Sequence, residues 1–302
     1  MCVADDSPTM TAIGLIGVGY IGKLLVDRLL DAGYRVTVFD VDDDQVAHAI
    51  DRGARAAGSP AEVAREADAV ILTLPGSPEV EATMEGSDGL LAELDRGQLL
   101  VDVSTTRPAT SVACEELCAE AGADFLEATI TGGSPREGYH VMAGGSEASY
   151  ERAGDLLDAI ADGHVRVGPV PDATVFKLGL QMRYAGRRAV DAEAVEFVRD
   201  NGVDPTIFVD FLEFEMYEGY FTGEFGQAME GLGTLAIWNK DLGYALEFAG
   251  ERDTAAPLTA AVHEAYKATA RRVGDGEGHA AALVTYWMRL NDAEGRFAPA
   301  SQ

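Results

Sequence analysis

Residues 12–40 read AIGLIGVGYIGKLLVDRLLDAGYRVTVFD. The stretch opens on a short apolar run, Ala12 to Ile16, and turns through Gly17-Val18-Gly19-Tyr20-Ile21-Gly22. It continues in a helical pattern carried by Leu24, Leu25, Leu29 and Leu30 that stops at Gly33. A β-rich run from Arg35 to Phe39 follows and ends at Asp40. Two strands joined by one helix within about 30 residues predict a β-α-β unit with parallel strands and a helical crossover.

A GxGxxG pattern alone says little in a chain with 34 glycines. Here it follows a strand and opens a helix, and Asp40 closes the next strand 18 residues beyond Gly22. That context is the dinucleotide fingerprint. Gly17 permits the tight turn, Gly19 lets a pyrophosphate approach the backbone, and Gly22 lets the helix pack against the strand. The free N–H groups of the helix start then face the phosphates. Gly17, Gly19, Tyr20, Ile21 and Gly22 are therefore candidate cofactor contacts. A carboxylate at Asp40 accepts hydrogen bonds from the ribose hydroxyls and repels a 2′-phosphate. Asp42, Asp43 and Asp44 add negative charge, and no Arg or Lys stands at 41–44. NAD is expected over NADP.

The alternation continues outward. DAVILTLPG, QLLVDVSTTRP, ADFLEATITGG, YHVMAGG and HVRVGPV read as further strands. Between them lie helices at 59–66, opened by a Ser59-Pro60-Ala61-Glu62 capping box, and at 108–121, with Pro108 at the first helical position. In such a sheet the ligand lies beyond the carboxyl ends of the strands, here loops 17–22, 74–77, 103–107 and 131–138. From Pro171 onward strand signals fade. Residues 172–200 read as one helix about 43 Å long, ending at Asn201-Gly202. Asp204-Pro205 is expected to start another, whose aromatic stretch FVDFLEFEMYEGYF would supply core or a subunit interface. Later helices are expected at about 230–250, 255–273 and 278–290. The domains predicted are 1–171, binding the dinucleotide, and 172–302, helical.

Composition narrows the function classes. The chain has 302 residues, 51 acidic against 23 basic, and a formal net charge of −28. Such a surface repels phosphate backbones, so no nucleic-acid partner is expected. No run of about 18 uncharged apolar residues exists, so no membrane span is expected. The first ten residues lack the cationic start and apolar stretch of a secretory signal, which points to the cytoplasm. The dispersed acidic excess, with few lysines, resembles a halophilic protein whose self-repulsion is screened at high salt. Cys114 and Cys118 stand four apart on a predicted helix and read as buried structural thiols. The five histidines form no metal-binding spacing; no metal is expected.

Five motifs in order resemble the β-hydroxyacid dehydrogenase superfamily, which includes 3-hydroxyisobutyrate dehydrogenases. They are GLIGVGYIG; LTLPGSPEV with Leu74 and Pro75; DVSTTRP; EATITGG; and TVFKLGLQM, followed by NKDLGYALEFA. The resemblance implies a Rossmann-type α/β N-terminal domain with a parallel sheet, and an all-α C-terminal domain linked to it by a long helix. It implies that Leu74 and Pro75 lie beside the cofactor and that Ser104 or Thr105 lies near the nicotinamide, with Ser104 assigned to the substrate and Thr105 to the cofactor. Thr131, Gly132 and Gly133 would bind the substrate carboxylate, with Arg136 in the same loop. Thr129 stands where the family has proline. Lys177 matches the catalytic lysine, and Gln181, where asparagine is usual, shares its helix face. Lys240 would reach the cofactor or active site, while Asp241 reads as structural.

The chemistry needs such a lysine. Moving hydride at a C–OH carbon is coupled to proton transfer at the oxygen, which a desolvated lysine performs. Lys177 is one of four lysines in the chain and lies among apolar neighbours. The reading is an NAD-dependent dehydrogenase of a small anionic 3-hydroxyacid, or a reductase of the matching semialdehyde. The site is expected between the domains, in a homodimer or homotetramer. Rival readings are a 6-phosphogluconate-type dehydrogenase, faintly resembled by GYHVMAGG; an imine reductase, which usually replaces the lysine; and a dinucleotide-binding protein without catalysis.

Overall fold

The alternation of apolar runs with amphipathic stretches in the first half builds one eight-stranded sheet. A computed structural model of the protein describes residues 10–132, 138–223, 234–273 and 280–292. The strands are β1 (Ala12–Ile16), β2 (Arg35–Phe39), β3 (Arg55–Ala56), β4 (Ala69–Leu72), β5 (Leu99–Asp102), β6 (Asp124–Gly132), β7 (Tyr139–Gly144) and β8 (Gly163–Gly168). Their spatial order is β3-β2-β1-β4-β5-β6-β7-β8. The order turns back at β1, beside β4, the topological switch point where α/β sheets hold ligands. All pairings are parallel except β6 with β7. The parallel sheet expected from sequence is therefore parallel-dominated, with one antiparallel pair. The five residues between Gly132 and Gly138 leave no room for a helical crossover, and a short link joins antiparallel neighbours.

The helices of this half are α1 (Tyr20–Asp31), α2 (Asp43–Arg52), α3 (Pro60–Glu66), α4 (Ser77–Met84), α5 (Pro108–Ala121), α6 (Glu147–Arg152) and α7 (Gly154–Ile160). Side chains of a strand alternate between faces, and two buried clusters follow. Leu15, Ile71 and Val101 pack with Leu25, Val26 and Leu29 of α1 and Leu156, Leu157 and Ile160 of α7. Ile16, Val70, Leu72 and Leu100 pack on the other face with Val63 of α3, Val80 of α4 and Cys114 and Cys118 of α5. Each fully buried aliphatic side chain contributes about 1.5–3 kcal/mol, which fixes α1 and its glycine turn against β1. At α3 the Ser59 hydroxyl accepts from Glu62 N–H at 3.2 Å. The Glu62 carboxylate accepts from Gly58 N–H at 2.7 Å, one residue before the position a capping box would use.

The chain divides into two compact units, Met1–Lys177 and Leu178–Gln302. The long helix α8 (Asp172–Asp200) starts in the first and runs through the second. Glycine at 202, with φ +78°, ends it. The second unit continues with α9 (Ile207–Asp210), α10 (Gly219–Thr222), α11 (Leu235–Glu251), α12 (Pro257–Val273) and α13 (Val284–Leu290). Ala185 and Ala189 of α8 let Trp238 and Leu242 of α11 and Tyr266 of α12 pack closely.

The helix expected after Asp204-Pro205 does not run through the aromatic stretch. Residues 211–218 are irregular between two helices of four residues each. Phe214 N–H closes back on Phe208 O at 2.9 Å, and their rings stack 6.3 Å apart. Glu213 and Glu215 alternate with Leu212, Phe214 and Met216, a period of two that gives a helix no continuous apolar face. Glu213 takes a left-handed backbone, φ 55°. Tyr220 is buried, whereas Phe211 is 78% exposed and Leu212 and Phe214 are also exposed.

Candidate active site

The glycine-rich turn has the geometry its residues predict. Gly17 N–H donates to Phe39 O at 2.9 Å, and Val18 N–H to the Asp40 carboxylate at 2.6 Å. The Thr73 hydroxyl donates to Gly17 O. Gly17 has φ +92°, and a side chain there would run into Thr73 O. A side chain at Gly22 would run into Gly17 O. Gly19 differs: a Cβ at that position meets no atom within 4 Å. The helix it opens has no side-chain cap and no acidic residue in its first turn. Its first N–H groups are thus available to an anion, and the positive end of the helix favours one. Tyr20 and Ile21 belong to the first turn of α1.

Asp40 sits just past β2. Its second oxygen accepts from Asp42 N–H at 2.9 Å, and Asp42 in turn caps α2 through Asp44 N–H. The carboxylate therefore ties the glycine turn to the start of α2, a contact the sequence reading did not foresee. The loop after β4 carries Leu74 and exposed Pro75. Leu74 N–H donates to the Ser104 hydroxyl at 2.9 Å, and Ser104 N–H to Asp102 at 2.9 Å. Ser104 is buried and keeps its own hydroxyl hydrogen to donate; Thr105 beside it is half-buried. These two loops and the glycine turn follow the adjacent parallel strands β4, β5 and β1, so the structure brings the glycine turn, Leu74 and Ser104 to the carboxyl ends of the central strands.

Thr131 and Gly132 belong to the end of β6 rather than to a loop at 131–138. They pair with His140 and Tyr139. Gly132 has φ +106°, and a Cβ there would collide with Gly138 O, so glycine is required for the close approach of the two strands. Gly133 and Arg136 lie outside the described residues.

Lys177 lies in the second turn of α8. It is 8% exposed, and its Nζ donates to Ile130 O of β6 at 2.7 Å. One turn further, Gln181 is buried and its Nε2 donates to the buried Asp241 carboxylate of α11 at 2.5 Å. Lys240 Nζ stands 2.9 Å from the other oxygen of Asp241 and 5.2 Å from the centre of the Tyr244 ring. Asp241, read from sequence as structural, is thus the shared partner of two candidate site residues. The only sequence signal was its place beside Lys240.

Glu127 and Thr129 of β6 were not singled out as site residues, and both are fully buried against the start of α8. Glu127 accepts from Ala173 N–H at 3.1 Å. Burial pushes its carboxyl up from the ordinary range, against the pull of hydrogen bonds from Thr174, Ser111 and the helix N–H groups. Cys114 and Cys118 are buried and free, and burial raises both thiols, Cys118 to about 12. Among the described residues no group of His, Cys, Asp or Glu side chains could hold a metal, and no helix is long and apolar enough to cross a membrane.

Known proteins match along nearly the whole chain. The model for the NAD binding domain of 6-phosphogluconate dehydrogenase matches residues 12–170. The model for the NAD-binding region of NADP-dependent 3-hydroxyisobutyrate dehydrogenase matches residues 172–286. A 3-hydroxyisobutyrate dehydrogenase of Pseudomonas aeruginosa is 30% identical over 89% of this chain and 95% of that protein. The chain belongs to the β-hydroxyacid dehydrogenase family. The 2-(hydroxymethyl)glutarate dehydrogenase of Eubacterium barkeri is 28% identical over 92% of this chain and 95% of its own length. Mycobacterium tuberculosis 3-hydroxyisobutyrate dehydrogenase has the same fold, with a TM-score of 0.80 at 23% identity over 93% of this chain and all of that one. Membership carries pyridine-nucleotide binding and hydroxyacid oxidoreduction. The open space at Gly19 and the uncapped start of α1 fit such a nucleotide.

Proposed function

We propose that this protein is an NAD-dependent dehydrogenase of a small 3-hydroxyacid, or a reductase of the matching semialdehyde, with Lys177 as its general acid and base. The observation that carries the reading is the buried Lys177 side chain, whose Nζ donates at 2.7 Å to Ile130 O on the strand that ends in Thr131 and Gly132. Hydroxyacid oxidation requires a group that takes the hydroxyl proton as the carbon loses hydride. In the reverse direction the same Nζ donates that proton and stabilises the developing alkoxide. The bound nicotinamide would supply the hydride acceptor or donor.

The remaining roles follow from the donors and acceptors at hand. The N–H groups at the start of α1 would hold the pyrophosphate, and Asp40 the adenosine ribose. Asp40 with Asp42, Asp43 and Asp44 disfavours a 2′-phosphate, which supports NAD over NADP. Leu74, Pro75 and Thr105 would flank the nicotinamide end, and Lys240 would serve the cofactor. The hydroxyls of Ser104 and Thr131, the N–H of Gly132 and the amide of Gln181 would bind the carboxylate and hydroxyl of the substrate. Gly133 is assigned with them by motif alone. The exposed apolar residues Val190, Phe197, Phe211 and Phe214 support assembly into a homodimer or homotetramer.

The test is turnover with NAD and NADP supplied separately against 3-hydroxyisobutyrate, glycerate, 4-hydroxybutyrate and 6-phosphogluconate. A Lys177→Ala variant runs beside the wild type. Activity with NAD on a 3-hydroxyacid, lowered roughly 10²–10⁴-fold in the variant with nucleotide affinity kept, is the expected result. Full turnover in Lys177→Ala would overturn the acid–base assignment, and preference for 6-phosphogluconate would move the substrate class.

A further inference from the structure

We propose that Glu127 and Thr129 form a clamp from β6 onto the first turn of α8, and that this clamp positions Lys177. Both are positioning residues, and the proposal rests on Lys177 as the acid–base group.

Residues 127, 129 and 131 alternate along β6 and so share one face of the strand. Two of them grip a single residue of α8. Glu127 accepts from the backbone N–H of Ala173 at 3.1 Å. The Thr129 hydroxyl stands 3.4 Å from Ala173 O and 3.2 Å from Met142 O, shared between the two. Ala173 is therefore held at its donor and at its acceptor by side chains of one strand. Ala173 O is also the helical acceptor for the N–H four residues on, which belongs to Lys177. The turn that ends at Lys177 is thus anchored at its start by Glu127 and Thr129, and at its end by the bond from Nζ to Ile130 O.

The start of a helix leaves its first N–H groups without helical partners. Glu127 supplies an acceptor oxygen for one of them from across the fold. The pocket around it is built for the purpose. Gly144 of β7 has no side chain where any Cβ would collide with Glu127 Oε2 and crowd Ala173. Ser111 bridges to Thr174 at 3.1 Å and to Thr106 at 3.2 Å, so a buried chain of hydroxyls continues from α8 toward the loop after β5. Both Ser111 and Thr174 also bond Glu127. Thr129 occupies the position where the family motif has proline, whose side chain has no hydroxyl to donate. The threonine half of the clamp is therefore a feature of this chain.

The experiment compares wild type, Thr129→Val, Glu127→Gln, Glu127→Ala and Lys177→Ala as full-length protein. It measures kcat, KM for both substrates, the primary deuterium isotope effect on hydride transfer, and amide exchange at residues 173–177. Thr129→Val keeps the shape and loses the hydroxyl. It should lower kcat roughly 3–10-fold, the loss of one hydrogen bond, and raise exchange at 173–177 by a similar factor. Glu127→Ala should lower kcat roughly 10–100-fold, as displacement of a reacting group by about 1 Å does. KM for the nucleotide should stay unchanged and the isotope effect should rise. Glu127→Gln keeps an oxygen for Ala173 N–H and should recover most of the loss. If Glu127→Ala does not fold, Thr129→Val and Glu127→Gln still decide. Wild-type kcat in Thr129→Val and Glu127→Ala, while Lys177→Ala is inactive, would overturn the clamp alone. Full activity in Lys177→Ala would overturn the acid–base reading, and exchange would then judge the clamp: wild-type rates at 173–177 in Thr129→Val would overturn it.

Discussion

Gly19 and Gly22 belong to one motif, yet the structure separates what each does. At Gly22 a methyl group would lie closer than 3.0 Å to Gly17 O, a backbone atom that is itself held by the Thr73 hydroxyl. Gly22→Ala must push α1 off the turn, an overpacking that costs about 1–3 kcal/mol. At roughly 2–4 °C per kcal/mol for a domain of this size, Tm should fall by about 2–12 °C. At Gly19 the backbone is extended, with φ −69°, and a methyl group meets nothing within 4 Å. There Gly→Ala gains about 0.4–1 kcal/mol from the unfolded chain and loses a comparable amount because alanine is the poorer N-cap. Tm should barely move. The same methyl group would stand where the pyrophosphate approaches the helix start. Loss of one charge-assisted hydrogen bond, about 1.5–3 kcal/mol, would weaken NADH binding roughly 10–150-fold. Thermal melts and fluorescence titration with NADH, on both variants, test the two halves independently. A Gly19→Ala protein that binds NADH as tightly as wild type would remove the phosphate from this turn. A Gly22→Ala protein as stable as wild type would refute the packing argument.

In the second unit, Gln181→Glu would set two carboxylates where an amide now donates to Asp241 at 2.5 Å. Like charges in a buried site raise the carboxyl pKa in the fold, so stability should be intact below about pH 4 and fall as pH rises; equal Tm at pH 5 and pH 8 would contradict it. Cys114 and Cys118 are held as thiols by burial but ionise near pH 8.5 when unfolded. Each should therefore cost about 1.4 kcal/mol of stability per pH unit above that, visible as a falling urea midpoint that a Cys118→Val variant flattens. The net charge of −28 predicts a Tm that climbs from dilute buffer to about 2–3 M KCl, where the Debye length is about 3 Å or less; a flat profile would argue against charge repulsion.

Much of this molecule was legible in the order of its residues because the signals are local. Apolar runs of four or five residues, a helical pattern closed by Gly33, and Pro108 at a helix start each act within one element. Strands β1 and β2 and helices α5 and α8 therefore lie where periodicity puts them. The glycine turn was readable for the same reason, since its three glycines and the strand and helix they join are contiguous in sequence, although Phe39, Asp40 and Thr73 hold it from farther along the chain. The aromatic stretch from 208 was misread as one helix because aromatic residues serve helices and loops alike. Its alternation with glutamate and the backbone of Glu213 decided for a loop. The partners of the functional candidates belonged to the tertiary structure. Lys177 meets Ile130 O, Gln181 meets Asp241, and Glu127 meets Ala173, across 47, 60 and 46 residues of chain. No pattern of residue types specifies such pairs, because a buried donor bonds to whichever acceptor oxygen the packing presents. By itself the sequence determined a glycine-rich helix start after the first strand and a lysine set among apolar neighbours; the fold alone decided that the lysine is buried and which atoms hold both in place.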